Sequence, residues 1–368
     1  MIERKRIVSH PGVYVKDAID ELGLSQSEFA LRTGLSIKNV STLINGESNI
    51  TFDVAVKLAD FFHNDIEGWI NLQIKYNLFL NQEKRQKEYA DDWQIVKQFD
   101  KGFVTDFLNI QIDSKNREKT VDELRRVFNV ASLQNLKNPD MYAFCRTSVI
   151  KDINEKTIIM RNAWISLAEQ IAREMPCEPF DKERIISNTK YLRSLTRKGA
   201  DGINHLLSDF LYSCGVKLVV LPFLSGSNLS GVTKWNNNGG CVMVAINDCG
   251  KDADKIWFSL FHELGHAIQN HKRHMTISYS KNSIQDEEEN EANLFARNSL
   301  IDEDVYEEFL DRNDFSLRAI EKLSRDQGVA DYIIIGRLQK DEKIGWNQYQ
   351  NLKRKFEINY RKDSTTIS

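Results

Sequence analysis

The sequence contains little cysteine and little proline. Among its 368 residues there are five of each. The cysteines are scattered and form no Cys-x-x-Cys pair: they are Cys145, Cys177, Cys214, Cys241 and Cys249. This odd number and this spacing argue against a disulfide framework and a cysteine metal site, and predict reduced, mostly buried thiols in a cytoplasmic protein. The few prolines and the 18 glycines argue against long disordered linkers.

Long apolar runs are missing as well. No segment approaches the roughly 18 consecutive apolar residues of a transmembrane helix. The charged residues 1–9 are not followed by an apolar run of signal-peptide length. We therefore expect a soluble protein with no membrane partner. The net charge of −3 indicates nothing about other partners, whereas 41% hydrophobic residues suffice for the cores of two or three domains.

The strongest chemical pattern is His262-Glu263-Leu264-Gly265-His266. Apolar residues at helical spacing predict that residues 256–268 form a helix. Because residues four apart share one face of a helix, His262 and His266 can present two imidazoles to one metal ion. Glu263 lies one position round the helix and is placed to accept a proton from water, as a general base does. The pattern indicates a mononuclear zinc hydrolase.

A third protein ligand is needed to complete such a site. The residues alone say only that a carboxylate in the acidic run 286–291 supplies it. Three protein ligands leave the fourth tetrahedral position for water. Zn²⁺ is the expected cofactor, and Mn²⁺ is the alternative because no sulfur ligand is present.

Two flanking segments extend the pattern: Ile256-Trp-Phe-Ser-Leu-Phe261 before it and Glu291-Ala-Asn-Leu-Phe-Ala296 after it. With them, the motif resembles the ImmA/IrrE family of bacterial metallopeptidases. The resemblance implies an α+β, zincin-like domain with a small β-sheet, Glu291 as the third metal ligand, and a protein substrate, namely a helix-turn-helix repressor. Asn293, two residues after Glu291, is expected to orient a ligand by a hydrogen bond.

Four short helices are predicted within the first 62 residues. Pro11-Gly12 begins the first helix and Gly23 ends it. Ser25 opens the second and Ser36 caps the third, with a tight turn at Thr33-Gly34-Leu35 between them. The fourth spans residues 51–62. A short helix, a glycine turn and another short helix are typical of a helix-turn-helix.

The exposed side of the third helix carries short polar side chains that suit base edges and phosphates. With the start of the second helix, the candidate DNA contacts are Gln26, Ser36, Lys38, Asn39, Ser41 and Thr42. Residues 1–75 hold 8 Lys/Arg and 10 Asp/Glu. Affinity for DNA therefore needs dimerisation or the basic residues 4–6. A helical protein-interaction module of the same shape is the alternative.

The N-terminal segment also carries longer sequence matches. They are Ser9-His-Pro-Gly-Val-Tyr-Val15, Gly23-Leu-Ser-Gln-Ser-Glu-Phe-Ala30, Leu43-Ile-Asn-Gly46 and Gly68-Trp-Ile-Asn-Leu-Gln73. Over residues 9–76 these resemble the HigA-type Xre antitoxins. The resemblance implies a homodimer that binds operator DNA, and a toxin as a further partner, although the sequence does not show whether a toxin exists.

The sequence as a whole predicts a multi-domain, mainly α protein. We expect residues 1–76 to form the helix-turn-helix bundle, and 77–200 a helical connector with the start of the catalytic domain. Residues 201–350 are predicted to form the metallopeptidase domain, and 351–368 a tail that is frayed after Phe356.

Helices are predicted around residues 82–99, from a capping box at Thr120, over 147–175, and over 185–195 and 202–212. Buried strands are predicted at residues 215–222 and 240–246, with a more exposed one in 225–235. A small sheet beside the metal helix follows, and one of its edge strands is expected to bind substrate as an added strand.

Two features near the motif are less specific. His271, His274 and Tyr279 could assist an oxyanion, but they are interpreted as surface residues. Near the end, Gly336-Arg-Leu-Gln339 resembles a signature that closes this type of peptidase domain, but Ala330-Asp331 stands where the family commonly has a His-Pro pair. Arg337 is then a packing or ion-pair residue.

Two functions are compatible with these patterns. The first is a DNA-binding transcriptional regulator with a zinc peptidase domain that cleaves a helix-turn-helix repressor or a related regulatory protein. The second is an antitoxin and autorepressor that binds operator DNA and a toxin, with the peptidase fold as a binding platform. The complete set of site residues favours the first, and the N-terminal resemblance favours the second.

Overall fold

The computed structural model describes residues 8–142, 146–147, 154–199, 202–236, 240–269, 275–279, 287–356, 358–361 and 364–367. The chain separates into two units, with the boundary between Asp91 and Asp92. Both units are mainly helical, and the second also contains a mixed β-sheet. The predicted fold class, a helix-turn-helix bundle followed by an α+β domain with a small sheet, is confirmed.

The first unit is built from short helices that begin at side-chain caps. Ser25, Ser36 and Thr51 each accept a hydrogen bond from the backbone N–H three residues further on, which satisfies a donor that the helix itself leaves free. Gly34, at φ +68°, makes the turn between the second and third helices. The helices are α1 (Pro11–Glu21), α2 (Gln26–Thr33), α3 (Ile37–Ile44), α4 (Phe52–Phe62) and α5 (Ile66–Val96).

Helix α5 is longer than its sequence pattern indicated. A boundary was predicted after residue 76, but α5 continues without a break to Val96. Asp92, in its last turns, is fully buried and accepts hydrogen bonds from Arg125, Ser132 and two backbone N–H groups. These bonds lie within the second unit, to which the last turns of α5 belong.

The second unit contains ten further α-helices among its described residues. They are α6 (Arg117–Val127), α7 (Glu155–Glu174), α8 (Lys182–Ser187), α9 (Thr189–Ser194), α10 (Ser208–Tyr212), α11 (Ala253–Gln269), α12 (Glu287–Leu300), α13 (Glu303–Asp311), α14 (Leu317–Gln327) and α15 (Asp331–Lys340).

Three predicted helices in this unit differ from the structure. The helix predicted over residues 147–175 is described from Glu155 to Glu174, and Thr147 lies in a short strand instead. Helix α6 starts from the cap residue Asn116 and not at Thr120, whose hydroxyl donates to the carbonyl of Gln111 instead. The helix predicted over residues 185–195 is interrupted at Asn188, which separates α8 from α9.

The sheet has five strands in the order β1-β5-β3-β4-β2. Strand β2 runs parallel to β4, β3 runs antiparallel to both β4 and β5, and β1 runs parallel to β5. The strands are β1 (Arg146–Thr147), β2 (Val216–Leu221), β3 (Leu229–Trp235), β4 (Val242–Asn247) and β5 (Met275–Tyr279). The prediction of a more exposed strand in 225–235 is wrong, because β3 has a partner on each side and lies at the centre of the sheet.

Helices cover both faces of this sheet. On β3, Thr233 contacts Glu263 of α11, whereas the next residue, Lys234, pairs with Glu169 of α7. Since successive side chains on a strand point to opposite faces, α11 and α7 lie on opposite sides of the sheet. Helix α12 packs closely on α11 at Gly265. A Cβ added at this glycine would lie only 3.1 Å from the Cα of Ala292.

The cysteines correct one expectation. Cys177 and Cys241 form a disulfide, while Cys214 and Cys249 are free thiols; Cys145 lies outside the described residues. Folding brings the segment after α7 against the start of β4, where Phe180 donates its N–H to the carbonyl of Gly240. The 64-residue separation of the two cysteines gives no sign of this pairing in the sequence.

The end of the chain is also more ordered than predicted. Phe356 is buried, and the strands β6 (Ile358–Arg361) and β7 (Ser364–Ile367) form an antiparallel pair where a frayed tail was expected.

Arg337, on α15, donates to Glu303 at 2.6 Å and lies over the ring of Tyr306. It is therefore an ion-pair and packing residue.

Candidate metal centre

The two histidines of α11 come together as their spacing predicts. The apolar face of α11 packs into the main core, with Trp257, Leu260 and Leu264 fully buried. His262 and His266 are one turn apart and turn towards α12, with 3.1 Å between their Nε2 atoms. Their rings are nearly perpendicular, at 89°. Two Nε2 atoms therefore converge at one point between the helices.

A carboxylate from α12 completes the cluster. The Glu289 oxygens lie 3.4 Å from Nε2 of His262 and 3.4 Å from Nε2 of His266. The three side chains are the group of His, Cys, Asp and Glu residues whose ligand atoms lie within 4.8 Å of one another among the described residues. Ligand atoms held ~2.0–2.1 Å from one zinc ion at tetrahedral angles lie about 3.3–3.4 Å apart. These residues therefore fit a tetrahedral cation with one position left open.

The identity of the third carboxylate corrects the resemblance. Glu291 was expected to be the ligand, but it is exposed and is not one of the clustered residues. Residues two apart on a helix differ by about 200° in direction, so Glu289 and Glu291 face opposite ways. Glu289 belongs to the acidic run 286–291 that the residues alone had indicated.

The cluster is electrostatically coupled. Burial raises the pKa of Glu289, but hydrogen bonds from the two histidines outweigh it and lower the pKa to about 2. Burial lowers the pKa of His262, but Glu289 and the neighbouring charge of Glu263 outweigh it, so the pKa is raised. Both shifts favour the charged pair. Protons on the histidines must leave when a cation binds, so cation binding weakens as the pH falls.

Asn293 supports the first histidine. It lies one turn after Glu289 on α12, and its Oδ1 is 3.1 Å from Nδ1 of His262. An amide oxygen is an acceptor only, so Nδ1 carries the proton and Nε2 is left to bind a cation. Phe258 stacks beside the same imidazole. His266 differs, because its buried Nδ1 has no hydrogen-bond partner among the described residues.

Glu263 lies beside the cluster on the sheet side of α11. It is fully buried, and its Oε2 accepts a 2.7 Å hydrogen bond from the hydroxyl of Thr233. A Cβ at Gly231 would lie 2.5 Å from Oε1, so only glycine leaves room for the carboxylate there. Oε1 itself has no hydrogen-bond partner among the described residues. One oxygen is thus fixed and the other is free to accept a proton.

Three of these functional residues were missed from the sequence. Glu289 could have been found from its four-residue spacing to Asn293, which places both on one helix face. No local sequence pattern indicates Thr233 and Gly231, because they reach Glu263 only through the packing of β3 against α11. Ser278 pairs with Gly231 across β3 and β5 and so faces the same side; its buried hydroxyl has no partner in the described part of the chain.

The other candidates near the motif do not join the cluster. His271 and His274 lie outside the described residues. Tyr279 was expected at the surface but is buried, with its hydroxyl 3.4 Å from a guanidinium nitrogen of Arg161 on α7. It follows Ser278 on β5 and therefore points to the opposite face of the sheet from Glu263.

The candidate DNA contacts in the first unit divide into two groups. Lys38 and Asn39 on α3 are exposed, as is Gln26 at the start of α2. Ser36 caps α3 through its hydroxyl, and Thr42 donates its hydroxyl back to the carbonyl of Lys38 at 3.0 Å. Ser41 is half-buried. Of this set, the exposed side chains that form no hydrogen bond among the described residues are therefore Gln26, Lys38 and Asn39.

Family models match both units. Residues 15–69 match the helix-turn-helix family, and residues 215–329 match a peptidase family described as the IrrE N-terminal-like domain. The chain belongs to the helix-turn-helix family and carries an IrrE-like domain. The IrrE-like match includes β2 to β5, α11 and α12, and so all of the residues in the cluster.

The curated relatives match the helix-turn-helix part. Virulence-associated protein A' of Dichelobacter nodosus is 36% identical over 77 residues, which is 21% of this chain and 67% of the relative. An uncharacterised HTH-type transcriptional regulator, YddM, of Escherichia coli K12 is 31% identical over 68 residues, 18% of this chain and 72% of the relative. These matches say nothing about the second unit.

Solved structures also match a part of this chain. A HigA-family antidote protein from Coxiella burnetii is 29% identical and covers 23% of this chain and 92% of its own, with a TM-score of 0.22. The Pseudomonas aeruginosa antitoxin HigA, solved with the higBA promoter, is 26% identical and covers 22% of this chain and 89% of its own, also with a TM-score of 0.22. Among the described residues, no helix combines the length and apolar character needed to cross a membrane.

Proposed function

We propose that this protein is a DNA-binding regulator whose IrrE-like domain is a zinc-dependent peptidase acting on a protein, with a helix-turn-helix repressor as the substrate. The observation that carries the proposal is the convergence of His262, His266 and Glu289 beside a buried Glu263. The distances among the first three fit one tetrahedral cation. Manganese is the alternative metal because the donors are nitrogen and oxygen.

The metal would supply Lewis-acid polarisation of the scissile carbonyl and would make bound water more acidic. Its protein ligands would be Nε2 of His262, Nε2 of His266 and the carboxylate of Glu289. Asn293 would hold the His262 ring in the tautomer that leaves Nε2 free, through its contact with Nδ1.

Glu263 would perform the proton transfers. Thr233 fixes Oε2, and Oε1 is left as the acceptor for the proton of the attacking water. The same carboxyl group would then donate that proton to the nitrogen of the departing amine. No residue of the chain needs to form a covalent bond with the substrate.

The helix-turn-helix would bind operator DNA through α3. The support is the family match over residues 15–69, together with the exposed, unengaged side chains of Lys38 and Asn39. A homodimer would supply the second half-site and the affinity that the weakly acidic unit lacks.

A second function has one supporting observation. The relatives named as HTH-type transcriptional regulators match only 18% and 19% of this chain. In this alternative the protein is an antitoxin and autorepressor, and its IrrE-like domain binds a toxin without cleaving anything. The two functions differ in whether Glu263 is needed.

The test compares wild-type protein with Glu263→Gln in the cell. Both should contain near-stoichiometric zinc, because Glu263 does not contribute a ligand atom to the cluster. New protein N-termini, mapped by mass spectrometry, should appear with the wild type and be absent with the variant. If neither protein generates new N-termini, or the variant generates the same ones, the peptidase proposal is wrong and the binding platform is favoured.

A further inference from the structure

Glu291 is left without a role when Glu289 is placed at the metal centre. Instead, Glu291 lines a separate open cavity of about 370 Å³ between α9, α12 and the end of α11. The other lining side chains include Thr189, Gln269, Leu294 and Asn298. A cavity of this volume lies at the lower end of the range of about 300–1,000 Å³ for small-ligand sites. It can hold one long side chain.

The polar lining of this cavity needs hydrogen-bond donors. Among the described residues, none forms an ion pair with Glu291, which is exposed. Oε1 of Gln269 is buried and has no partner in the described part of the chain. The hydroxyl of Thr189 already donates to the carbonyl of Ile186 at 2.7 Å. A negative carboxylate and an unsatisfied amide oxygen therefore line one cavity.

A nearby cation does not account for Glu291. Arg193, on α9, donates to the carbonyls of Asn298 and Ser299 in the last turn of α12, at 3.1 and 2.8 Å. Its charge is already matched by Asp302, at 2.6 Å. Glu291 is consequently not required to neutralise Arg193.

The apolar part of the lining suits the stem of a long basic side chain. Leu294 is 52% exposed although it faces the cavity, and Phe295 lies next to it. Lysine and arginine bury their methylene groups against apolar surfaces while the charged end reaches a polar partner. Phe295 also offers a ring for the flat face of a guanidinium.

We infer that this cavity binds the cationic side chain of a lysine or arginine in a polypeptide partner. The identity of that partner as the protein cleaved rests on the proposed function, whereas binding of the cation does not. Gln269 follows His266 by three residues on α11, whereas Glu291 faces away from the metal ligand Glu289 on α12. The cavity would therefore hold a basic residue of the substrate that lies at a distance from the bond that is cut.

The experiment measures binding of a blocked arginine, N-acetyl-arginine-N-methylamide, to the full-length zinc-loaded protein. The readout is the methyl NMR signal of Leu294. Blocked citrulline, which has the same shape without the charge, is the ligand control. A saturable shift with arginine and none with citrulline is expected. Equal binding of the two, or no saturable shift, would overturn the inference.

Three variants locate the effect. Glu291→Gln should weaken arginine binding by about two- to fivefold, as expected for an exposed ion pair. Gln269→Met should weaken it too. Glu287→Gln, which removes the same charge one turn earlier on α12 outside the cavity, should leave binding unchanged. If Glu287→Gln and Glu291→Gln behave alike, the cavity is not the site.

The cleavage proposal can fail independently of the cavity. Glu263→Gln should bind blocked arginine as the wild type does, because Glu263 does not line the cavity. A protein that binds arginine but produces no new N-termini would disprove the peptidase and leave the cavity intact.

Discussion

Thr233 and Glu263 are joined by a 2.7 Å hydrogen bond from the threonine hydroxyl to Oε2 of the glutamate. The same hydroxyl lies 3.0 Å from the backbone carbonyl of Glu263. The central strand β3 thereby fixes the orientation of a carboxylate on α11. Because Oε1 is left free on the other side, this contact decides which oxygen can accept a proton.

Replacing Thr233 by valine should therefore reduce cleavage without removing the metal. Valine has the same shape but cannot donate, so Glu263 can rotate away from its working position. We expect about a tenfold loss in the yield of new N-termini, in the range found when a supporting hydrogen bond is lost near a metal site. Zinc content, measured by elemental analysis, should be unchanged.

The matched control for this prediction is Thr276→Val. Thr276 pairs with Thr233 across β5 and β3 and faces the same side, but no described hydrogen bond joins it to Glu263. It should keep wild-type cleavage. Equal losses in the two variants would mean that Thr233 acts only through packing.

Asn293 should influence metal affinity through His262. Leucine at position 293 has a similar volume but cannot accept the proton on Nδ1 of His262, so the ring loses its fixed tautomer. Zinc affinity, measured by competition with a chromogenic chelator, should fall by about 10- to 100-fold.

Asn290→Leu is the control for Asn293→Leu. Asn290 lies on the same helix but is exposed. Its replacement should leave zinc affinity as it is. Undiminished affinity in Asn293→Leu would show that the contact with His262 is incidental.

Operator binding should depend on Lys38 and Asn39. A DNA sequence can first be selected from a random pool with the wild-type protein. The double variant Lys38→Ala, Asn39→Ala should then bind this sequence at least about tenfold more weakly, since a good bidentate contact to a base contributes about 1–3 kcal/mol. Lys16→Ala, an exposed lysine on α1, should bind normally. Normal binding by the double variant would place the DNA-binding surface elsewhere.

His10 predicts how the first unit responds to pH. Its Nδ1 accepts the N–H of Gly12 at the start of α1, and its ring packs edge-on against Tyr76. Burial lowers the pKa of His10, and its hydrogen bond with Ser48 only partly offsets this. The unfolded chain therefore binds the proton more readily. Neutral His10 therefore makes its full contribution to the free energy of unfolding above about pH 6.5, and this contribution is lost as the pH falls below that value.

Hydrogen exchange of α1 and α3 measures this effect. Protection in the wild-type protein should fall between pH 7.5 and 5.5 more steeply than in His10→Asn. Asparagine can still cap α1 but does not titrate. Identical pH dependence in the two proteins would exclude His10 as the cause.

The sequence predicted those parts of the site that depend on local spacing. His262, Glu263 and His266 lie within five residues on one helix, so helical periodicity alone sets their relative positions. The caps Ser25 and Ser36 are local in the same sense, and the structure has them as predicted. Their hydrogen bonds join residues only three apart, so the local sequence is enough to predict them.

Non-local contacts could not be predicted in this way. Thr233 reaches Glu263 through the register of β3 under α11, which no periodicity in the chain reports. The Cys177–Cys241 bond likewise depends on two distant segments meeting. The third carboxylate was predicted in part. The residues alone indicated the acidic run 286–291, which contains Glu289, whereas the resemblance indicated Glu291, which lies on another face of α12.

The most direct test of the metal centre compares zinc binding by Glu289→Ala and Glu291→Ala. Titration of metal-free protein with zinc, followed by elemental analysis, should give one tightly bound zinc per chain for the wild type and for Glu291→Ala. Glu289→Ala should bind at least about a hundredfold more weakly, since losing a direct ligand costs more than losing a supporting residue. Loss of zinc in Glu291→Ala with full retention in Glu289→Ala would contradict the cluster described above.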